Sequence, residues 1–286
     1  MVATLIDGRA IATQIRQEIA ERVIKFKDAR SYAPGLAVIL IGDNPASHVY
    51  VENKRKACNE VGIHSKLYAL PETTTQKEII SLIEALNSDD CVHGILIQLP
   101  LPPILDTSAV IFQMAPYKDV DGLHPQNLGL MFAGTPSLMP CTPLGCLDLI
   151  KSVVPNMKGK HVVIVGWSLL VGRPMALLLG FEDATVVTTH EYTNDLIEEC
   201  QRADILVTAV GKPGLITAKH VKPGAVVIDI GITRVEAPDG TISIKGDVVF
   251  EEVCQVAGFL TPVPGGVGPM TVAYLLKNTL LAAERY

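Results

Sequence analysis

The segment His161-Val-Val-Ile-Val-Gly-Trp-Ser-Leu-Leu-Val-Gly172 joins a run of branched apolar residues to a turn that contains glycine. A continuous apolar run of this length predicts a strand that is buried on both faces, as in parallel sheets covered by helices. A glycine directly after the strand, and a second one before the next apolar stretch, predict a tight turn and a helix over residues 171–179. The segment therefore predicts the strand–turn–helix unit from which α/β folds are built.

The same alternation continues along the chain in both directions. Further strands are predicted at 35–41, 64–70, 94–99, 184–188, 205–210 and 225–230, and further helices at 11–26, 45–62, 76–86, 194–200 and 269–284. Prolines at 100–103 interrupt the pattern, and Pro143 begins a helix, to about residue 153, that leads into a second unit. The expected fold class is α/β with two domains, each built on a mostly parallel sheet.

The composition is typical of a globular protein. Of the 286 residues, 48% are hydrophobic and 19% are charged, and the net charge is −6. No apolar run reaches the roughly 18–20 residues of a membrane span, and no signal-peptide pattern is seen at the start. We therefore expect a soluble, cytoplasmic protein, and the lack of an extended basic cluster argues against nucleic acid as a partner. The six cysteines form no Cys-x-x-Cys pair and the seven histidines have no zinc spacing around them, so no metal is expected.

The predicted helix at 45–62 carries a lysine on its apolar face. At about 100° per residue, Tyr50 and Lys54 fall on the same face as Ala57 and Cys58. A lysine in this position either extends its ammonium to water along an apolar surface or is desolvated. Desolvation lowers the pKa and makes the amine a usable proton acceptor.

Polar candidates lie at the end of the predicted strand at 94–99 and in the loop at 119–122. Gln98 lies at the carboxyl end of the strand, where ligands of parallel sheets bind, and a buried amide needs a partner such as an amine. The alternative is a strand-end amide that faces water. In Asp119-Val-Asp121-Gly122, a carboxylate is suited to bidentate recognition of a guanidine-like edge, although an Asx-turn is the commoner use of aspartate in a loop.

The turn from Gly166 to Gly172 is suited to a diphosphate, because free backbone N–H groups at a helix N-terminus favour anions. Ser168 replaces the second glycine of the usual Gly-x-Gly-x-x-Gly, so a tight turn without a ligand is the alternative. Glu191 follows the next strand, where an acidic residue accepts from ribose hydroxyls and repels a 2′-phosphate. A solvated loop glutamate is the alternative there.

The stretch Thr261-Pro-Val-Pro-Gly-Gly-Val-Gly-Pro-Met270 combines three glycines with three prolines. Glycine allows close approach of the backbone, and proline stiffens the loop. Because no Gly-Lys-Ser/Thr follows, the stretch is not a P-loop. Taken alone, it is also compatible with a stiff connector.

Together these residues resemble the bifunctional methylenetetrahydrofolate dehydrogenase/methenyltetrahydrofolate cyclohydrolase family. The matching pieces are Tyr50-Val-Glu-Asn-Lys54 with Lys56 and Gly62, Gly94-Ile-Leu-Ile-Gln-Leu-Pro-Leu-Pro102, Lys118-Asp-Val-Asp-Gly122, Pro140-Cys-Thr-Pro143, Val171-Gly-Arg-Pro174 and residues 261–270. They extend over nearly the whole chain.

The resemblance implies a folate-binding catalytic domain at 1–141 with 268–286 and a Rossmann-like NAD(P)-binding domain at 142–267. It also implies that the C-terminal helix packs back on the first domain and that the chain forms a homodimer. The implied reactions oxidise 5,10-methylenetetrahydrofolate to the methenyl cation with NADP as the usual coenzyme, and hydrolyse that cation to 10-formyltetrahydrofolate. Such one-carbon metabolism serves purine and amino-acid biosynthesis.

Residue roles follow from the same resemblance. Lys54 is expected to activate water or move protons in the hydrolysis, Gln98 to hydrogen-bond Lys54, Tyr50 to stack on the folate rings and Asp121 to bind the pterin edge. The folate site is expected to include Leu99, Pro262, Pro264, Gly265 and Gly266, and the coenzyme site to include Gly166, Trp167, Ser168, Val171, Gly172, Arg173, Glu191 and Ile232.

Two positions depart from the family. Many members carry Arg where this chain has Trp167, and Ser or Arg where it has Glu191, and these residues contact the 2′-phosphate of NADP. We therefore hypothesise a weakened preference for NADP and use of NAD, with Arg173 near enough to supply the missing charge. Two other interpretations are a dehydrogenase without useful cyclohydrolase activity and a non-catalytic, nucleotide-sensing Rossmann protein.

Overall fold

The structure is a computed structural model that describes residues 2–236 and 240–285. Contacts along the chain divide it into two compact units. The first unit comprises Thr13–Cys141 and the C-terminal segment from Val272. The second unit comprises the N-terminal segment up to Ala12 and the stretch Thr142–Thr271.

Strands and helices alternate along most of the chain. The strands are β1 (Thr4–Leu5), β2 (Gly35–Ile41), β3 (His64–Leu70), β4 (Gly94–Ile97), β5 (His161–Val165), β6 (Thr185–Thr189), β7 (Ile205–Thr208), β8 (Val226–Asp229), β9 (Thr233–Glu236), β10 (Ile242–Lys245) and β11 (Phe259–Leu260). The helices are α1 (Gly8–Arg30), α2 (Pro45–Val61), α3 (Gln76–Asn87), α4 (Thr107–Phe112), α5 (Pro125–Phe132), α6 (Cys141–Val153), α7 (Gly172–Phe181), α8 (Leu196–Gln201), α9 (Phe250–Val253) and α10 (Val267–Arg285).

In the first unit, β2 lies between β3 and β4 in a parallel sheet. Every residue of β2 is buried, as expected for an apolar strand covered on both faces. The predicted strand at 94–99 ends at Ile97, although the backbone N–H of Gln98 still donates to Ile39 O at 2.9 Å. Pro100 follows shortly and has no N–H to extend the pairing, so Gln98 stands at the carboxyl edge of the sheet.

In the second unit, six parallel strands are arranged in the order β1-β11-β8-β7-β5-β6. The predicted strand at 161–165 is confirmed, and its neighbours β6 and β7 pair with it on either side. All residues of β7 and β8 are buried. The α/β class with parallel sheets is therefore confirmed.

The N-terminal segment differs from the expected domain division. We expected residues 1–12 in the first domain, whereas β1 pairs in parallel with β11 at the edge of the second unit's sheet. A strand of two residues has no periodicity of its own, so the local pattern gives no sign of this pairing. The antiparallel ribbon of β9 and β10 was not predicted either.

The later turns of α10 belong to the first unit, as predicted for the C-terminal helix. Arg22 of α1 forms an ion pair with Glu284 of α10. Asn278 of α10 donates from Nδ2 to Val120 O and to Met139 O, both at 2.9 Å. These contacts attach the C-terminal segment to the unit that carries Lys54.

Candidate active site

Lys54 and Gln98 form a hydrogen-bonded pair in the first unit. Lys54 Nζ donates to Gln98 Oε1 at 2.9 Å. The contact arises because α2 buries one face, on which Ala57, Cys58 and Val61 are buried and Lys54 is half-buried. The expected hydrogen bond between the two side chains is therefore present.

The Gln98 amide is held in one orientation. Its Nε2 donates to Leu99 O at 2.7 Å, so that Oε1 is directed at Lys54. The backbone N–H of Gln98 is fixed by the sheet. An amide held in this way accepts from an ammonium or an amine without rearranging.

The surroundings of Lys54 change its protonation. Burial lowers the pKa of Lys54, while the negative charge of Asp121 and the thiols of Cys141 and Cys58 act in the opposite direction. The net direction is downward. A lysine whose pKa is lowered toward neutrality can act as a base.

Tyr50 lies one turn before Lys54 on α2 and is half-buried. Burial raises the pKa of its phenol, which keeps the ring neutral. A neutral phenol at the same helix face presents a flat apolar surface with a polar tip.

The two aspartates of the loop after the short helix Pro116–Lys118, Asp119 and Asp121, have different surroundings. Asp119 is fully buried and accepts from the backbone N–H of Gly122 at 3.1 Å and of His124 at 2.7 Å. It also accepts from Asn127 Nδ2 at 2.9 Å. Asp119 therefore stabilises the turn by accepting from its backbone N–H groups. The half-buried Asp121 is left as the carboxylate suited to a ligand.

The conformation of the turn between β5 and α7 requires glycine at positions 166 and 172. Gly166 has φ +120°, and a Cβ placed there would lie 2.6 Å from Ala209 O. A Cβ on Gly172 would lie 2.1 Å from Gly166 O, so this glycine allows α7 to start directly against the turn. Ser168 Oγ accepts from the N–H groups of Val171 at 3.2 Å and Gly172 at 3.4 Å. The residue that replaces the second glycine therefore stabilises the turn.

Trp167 and Arg173 contact one another beside this turn. The Arg173 guanidinium lies 5.5 Å from the centroid of the Trp167 ring, and 45% of the tryptophan is exposed. Glu191 is also exposed and lies two positions after the end of β6. Because Gly166 N donates to Thr189 O at 3.0 Å, the turn and the carboxyl end of β6 are adjacent. Trp167, Arg173 and Glu191 therefore lie near the glycine turn at the carboxyl edge of this sheet.

The remaining predicted positions also lie in the second unit. Gly266 approaches the start of α1 so closely that a Cβ on Gly8 would lie 1.9 Å from Gly266 O. Gly265 has φ +118°, and Pro262 O accepts from Gly266 N at 2.8 Å. Ile232 is 42% exposed and lies beside Gly268, in the first turn of α10.

The predicted folate-site residues therefore divide between the units. Tyr50, Lys54, Gln98, Leu99 and Asp121 lie in the first, and Pro262, Pro264, Gly265 and Gly266 lie in the second, together with every predicted coenzyme residue. Sequence reasoning did not select Cys141, whose Sγ donates to Val120 O at 3.2 Å, or Asn278. A single asparagine in an amphipathic helix gives no signal of such contacts.

The part of the chain that the structure describes contains neither a membrane-spanning helix nor a cluster of metal-ligating side chains. No helix there has both the length and the apolar character needed to cross a membrane. No group of three or more His, Cys, Asp or Glu is close enough together to hold a metal ion in that same part. All six cysteines are free, and only Cys91 is exposed.

The parallel sheet of the second unit, with its glycine turn at a helix N-terminus, defines a dinucleotide-binding type of α/β domain, and the first unit is an α/β domain that carries a paired lysine. Residues 140–286 match the tetrahydrofolate dehydrogenase/cyclohydrolase NAD(P)-binding domain, and residues 6–121 match the catalytic domain of the same family. The chain belongs to the tetrahydrofolate dehydrogenase/cyclohydrolase family.

Relatives and solved structures agree with this placement. The chain is 53% identical to the bifunctional protein FolD 1 of Pseudomonas putida over 99% of this chain and 98% of that one. The bifunctional enzyme FolD from Campylobacter jejuni is 45% identical, with a TM-score of 0.93 over 99% of both chains. FolD from Trypanosoma brucei, solved with NADP cofactor and an inhibitor, is 38% identical, with a TM-score of 0.96 over 100% of this chain and 98% of that one.

Proposed function

We propose that this chain oxidises 5,10-methylenetetrahydrofolate to 5,10-methenyltetrahydrofolate with NAD(P) and hydrolyses the product to 10-formyltetrahydrofolate. The observation that carries the proposal is the Lys54–Gln98 hydrogen bond inside the residues that match the family's catalytic domain. Hydride transfer alone does not require a half-buried amine with a fixed amide partner, whereas hydrolysis requires a group that moves protons.

In the oxidation, the one-carbon bridge between two nitrogens of the substrate loses a hydride, which the nicotinamide accepts when NAD(P) is bound. The chain's contribution to this step is alignment and the exclusion of water. Tyr50 supplies a flat face for the folate rings. Asp121 accepts hydrogen bonds from the amino group and ring N–H of the pterin.

In the hydrolysis, the oxygen of water bonds to the cationic methenyl carbon while Lys54 Nζ accepts a proton from it. Opening of the ring then needs a proton on the departing nitrogen, and the Lys54 ammonium returns one. The proton left on the new carbonyl oxygen passes to solvent, so atoms and charge balance. Gln98 keeps the amine in place and accepts from it in both protonation states.

We further propose that Pro262, Pro264, Gly265 and Gly266 line the folate site with closely approaching backbone. We also propose the domain division implied by the resemblance, 1–141 with 268–286 and 142–267, apart from β1, which pairs in the sheet of the second unit. Homodimerisation and a role in purine and amino-acid biosynthesis are also proposed on the family resemblance alone, and the cytoplasmic location expected from the composition is kept as a proposal.

For the coenzyme, we propose a weakened preference for NADP and use of NAD. Exposed Glu191 would repel a 2′-phosphate and accept from ribose hydroxyls. An indole stands at Trp167, where many family members carry a cation. The Arg173 guanidinium, stacked on that indole, is the local cation that would offset the effect of Glu191.

The test measures the initial rate of reduced-coenzyme formation from 5,10-methylenetetrahydrofolate with NAD and NADP in parallel. The expected result is a rate with at least one coenzyme and a higher kcat/KM for NAD. A much higher kcat/KM for NADP would mean that Arg173 outweighs Glu191. No rate with either coenzyme would contradict the dehydrogenase and favour a nucleotide sensor.

A separate assay follows the loss of 5,10-methenyltetrahydrofolate without coenzyme, compared with the spontaneous reaction. The expected result is an enzyme-dependent rate. A normal oxidation rate with no enzyme-dependent hydrolysis would instead identify a dehydrogenase without useful cyclohydrolase activity.

A further inference from the structure

The side chain of Asn278 joins two separate stretches of the first unit. It is 4% exposed, and its Nδ2 donates to Val120 O and Met139 O, both at 2.9 Å. The same nitrogen lies 3.5 Å from Cys141 Sγ. Since an amide NH₂ has two hydrogens, the two carbonyl groups use both of them.

These contacts fix the backbone on both sides of Asp121. On one side, Val120 O accepts from Asn278 and also from the Cys141 thiol at 3.2 Å. On the other side, Gly122 has φ +74° and is so close to residue 139 that a Cβ would lie 2.3 Å from Met139 C. The loop that carries Asp121 therefore packs against residues 139–141, and Asn278 donates to one carbonyl group in each of these two segments.

We propose that Asn278 is a positioning residue for substrate binding, which acts by holding the Asp121 carboxylate in the orientation that receives the pterin edge. This inference rests on the role proposed above for Asp121. Asn278 itself does not touch the reacting atoms. Its effect reaches the substrate only through the loop 119–122.

The physical reason is the cost of leaving buried carbonyl groups without donors. Without the amide, Met139 O loses the Asn278 donor and Val120 O keeps only the weak thiol donor. The loop then relaxes toward other partners, and a displaced carboxylate no longer matches a two-point hydrogen-bonding edge. A displacement of about 1 Å in such a group can reduce the reaction rate by up to roughly a hundredfold.

Lys54 provides a second readout of the same displacement. Asp121, Cys141 and Cys58 all act to raise the pKa of Lys54 against the effect of burial. Moving the Asp121 carboxylate away therefore lowers the pKa of Lys54. The rising limb of the hydrolysis rate against pH is expected to move to lower pH.

The experiment compares Asn278→Leu with Thr279→Val in the full chain. Leucine has nearly the shape of asparagine and no donor. Thr279 is equally buried in the same helix, but its hydroxyl donates within α10, to Leu275 O. Asn278→Leu is expected to raise the KM for 5,10-methylenetetrahydrofolate by roughly tenfold or more, with kcat changed by less than about threefold, and to shift the hydrolysis profile to lower pH. Thr279→Val is expected to change neither KM nor the profile.

A double-mutant cycle with Asp121→Asn separates this inference from the role of Asp121. If Asn278 acts through Asp121, Asn278→Leu adds little to the KM of Asp121→Asn. The inference would be overturned if Asn278→Leu raised the KM of Asp121→Asn by as much as it raises the KM of the unchanged chain, or if folded Asn278→Leu had an unchanged KM. Either outcome would leave the role of Asp121 intact. An unchanged KM in Asp121→Asn would overturn the role of Asp121 itself and the inference with it.

If Asn278→Leu does not fold, Asn278→Ser retains one donor and takes its place. Hydrogen exchange of the backbone N–H groups of Gly122 and His124, both bonded to Asp119, then reports on the loop directly. Faster exchange than in Thr279→Val together with a raised KM supports the inference. Unchanged exchange contradicts it.

Discussion

Lys54 Nζ lies 2.9 Å from Gln98 Oε1, although the two residues are 44 positions apart in the chain. The hydrogen bond joins the buried face of α2 to the carboxyl edge of the sheet that contains β4. It places an amine with a lowered pKa next to an amide that Leu99 O holds in one orientation.

Replacing Lys54 with Met is expected to reduce enzyme-dependent hydrolysis of 5,10-methenyltetrahydrofolate by at least ~100-fold, because the proton acceptor is lost while the apolar stem remains. The oxidation is expected to retain most of its kcat. Lys56→Met is the matched control, since Lys56 is exposed on the same helix. Equal losses of both activities in Lys54→Met would argue for a structural rather than a proton-transferring lysine.

Two substitutions of Gln98 are expected to move the pH profile of hydrolysis in opposite directions. Gln98→Leu removes an acceptor that favours the ammonium form, so the pKa of Lys54 falls and the profile moves to lower pH. Gln98→Glu places a negative charge beside Lys54, so the pKa rises and the profile moves to higher pH. The measurement is the hydrolysis rate against pH for both variants and the unchanged chain. Shifts in the same direction would show that Gln98 does not set the protonation of Lys54.

The sequence predicted most of the strands and helices because apolar runs and helical spacing are local features. The ranges of β2, β3 and β5 agree with those of the structure, and α3 extends only one residue further than predicted. By contrast, β1 pairs with a strand near the other end of the chain, and nothing in residues 4 and 5 indicates that partner. The ribbon of β9 and β10 lacks a strong apolar pattern, since its strands are largely exposed.

For the candidate site too, residues marked by a local sequence pattern were predicted, and residues defined by long-range contacts were not. Lys54 and Gln98 were recognisable because each is a polar residue in an apolar pattern, and their hydrogen bond follows from the sheet edge. Asn278 was not recognisable, because its contacts depend on how α10 packs on backbone more than 130 positions earlier. Cys141 was not recognisable either, because its hydrogen bond to Val120 O depends on how two separate segments fold together. The division of work between Asp119 and Asp121 also required three-dimensional contacts.

Changing Trp167 to Arg together with Glu191 to Ser is expected to raise the ratio of kcat/KM for NADP over NAD by at least ~10-fold. The double variant adds a cation and removes a repelling carboxylate at the position proposed above for the 2′-phosphate. Initial rates with both coenzymes provide the measurement. Glu198→Ser, which removes an exposed acidic residue elsewhere in the same unit, is the control for the loss of the Glu191 carboxylate. A ratio that changes equally in the control would mean that the effect is not local to Glu191.

The buried carboxylate of Asp229 is expected to make stability depend on pH. Burial raises its pKa to about 6 from 3.8, although it accepts from the N–H groups of Gly231, Asp247 and Val248. The folded state therefore holds the carboxyl proton of Asp229 more tightly than the unfolded state does. The resulting contribution to the free energy of unfolding is full below about pH 4 and is lost as the pH rises through about 6. The difference corresponds to about 3 kcal/mol.

Urea unfolding of the unchanged chain and of Asp229→Asn between pH 4 and pH 7 measures this contribution. The free energy of unfolding of the unchanged chain is expected to fall relative to that of the variant as the pH rises. Asp204→Asn is the control, because the hydrogen bond and ion pair with Lys222 lower the pKa of Asp204, so its contribution is already complete above about pH 4 and is expected to stay constant over this range. A difference for Asp229→Asn that does not vary with pH would contradict the raised pKa.

Two glycines of α7 are expected to respond in opposite ways to the same substitution. At Gly172 an added Cβ would lie 2.1 Å from Gly166 O, so Gly172→Ala must displace the turn and is expected to lower the free energy of unfolding by about 1–3 kcal/mol. At Gly180 an added Cβ meets no atom within 4 Å, so Gly180→Ala is expected to stabilise the helix by about 0.5–1 kcal/mol. Because the turn carries the predicted coenzyme residues, only Gly172→Ala is expected to raise the KM for the coenzyme. Urea unfolding and initial rates of both variants check these outcomes, and an unchanged KM in a destabilised Gly172→Ala would remove the turn from the coenzyme site.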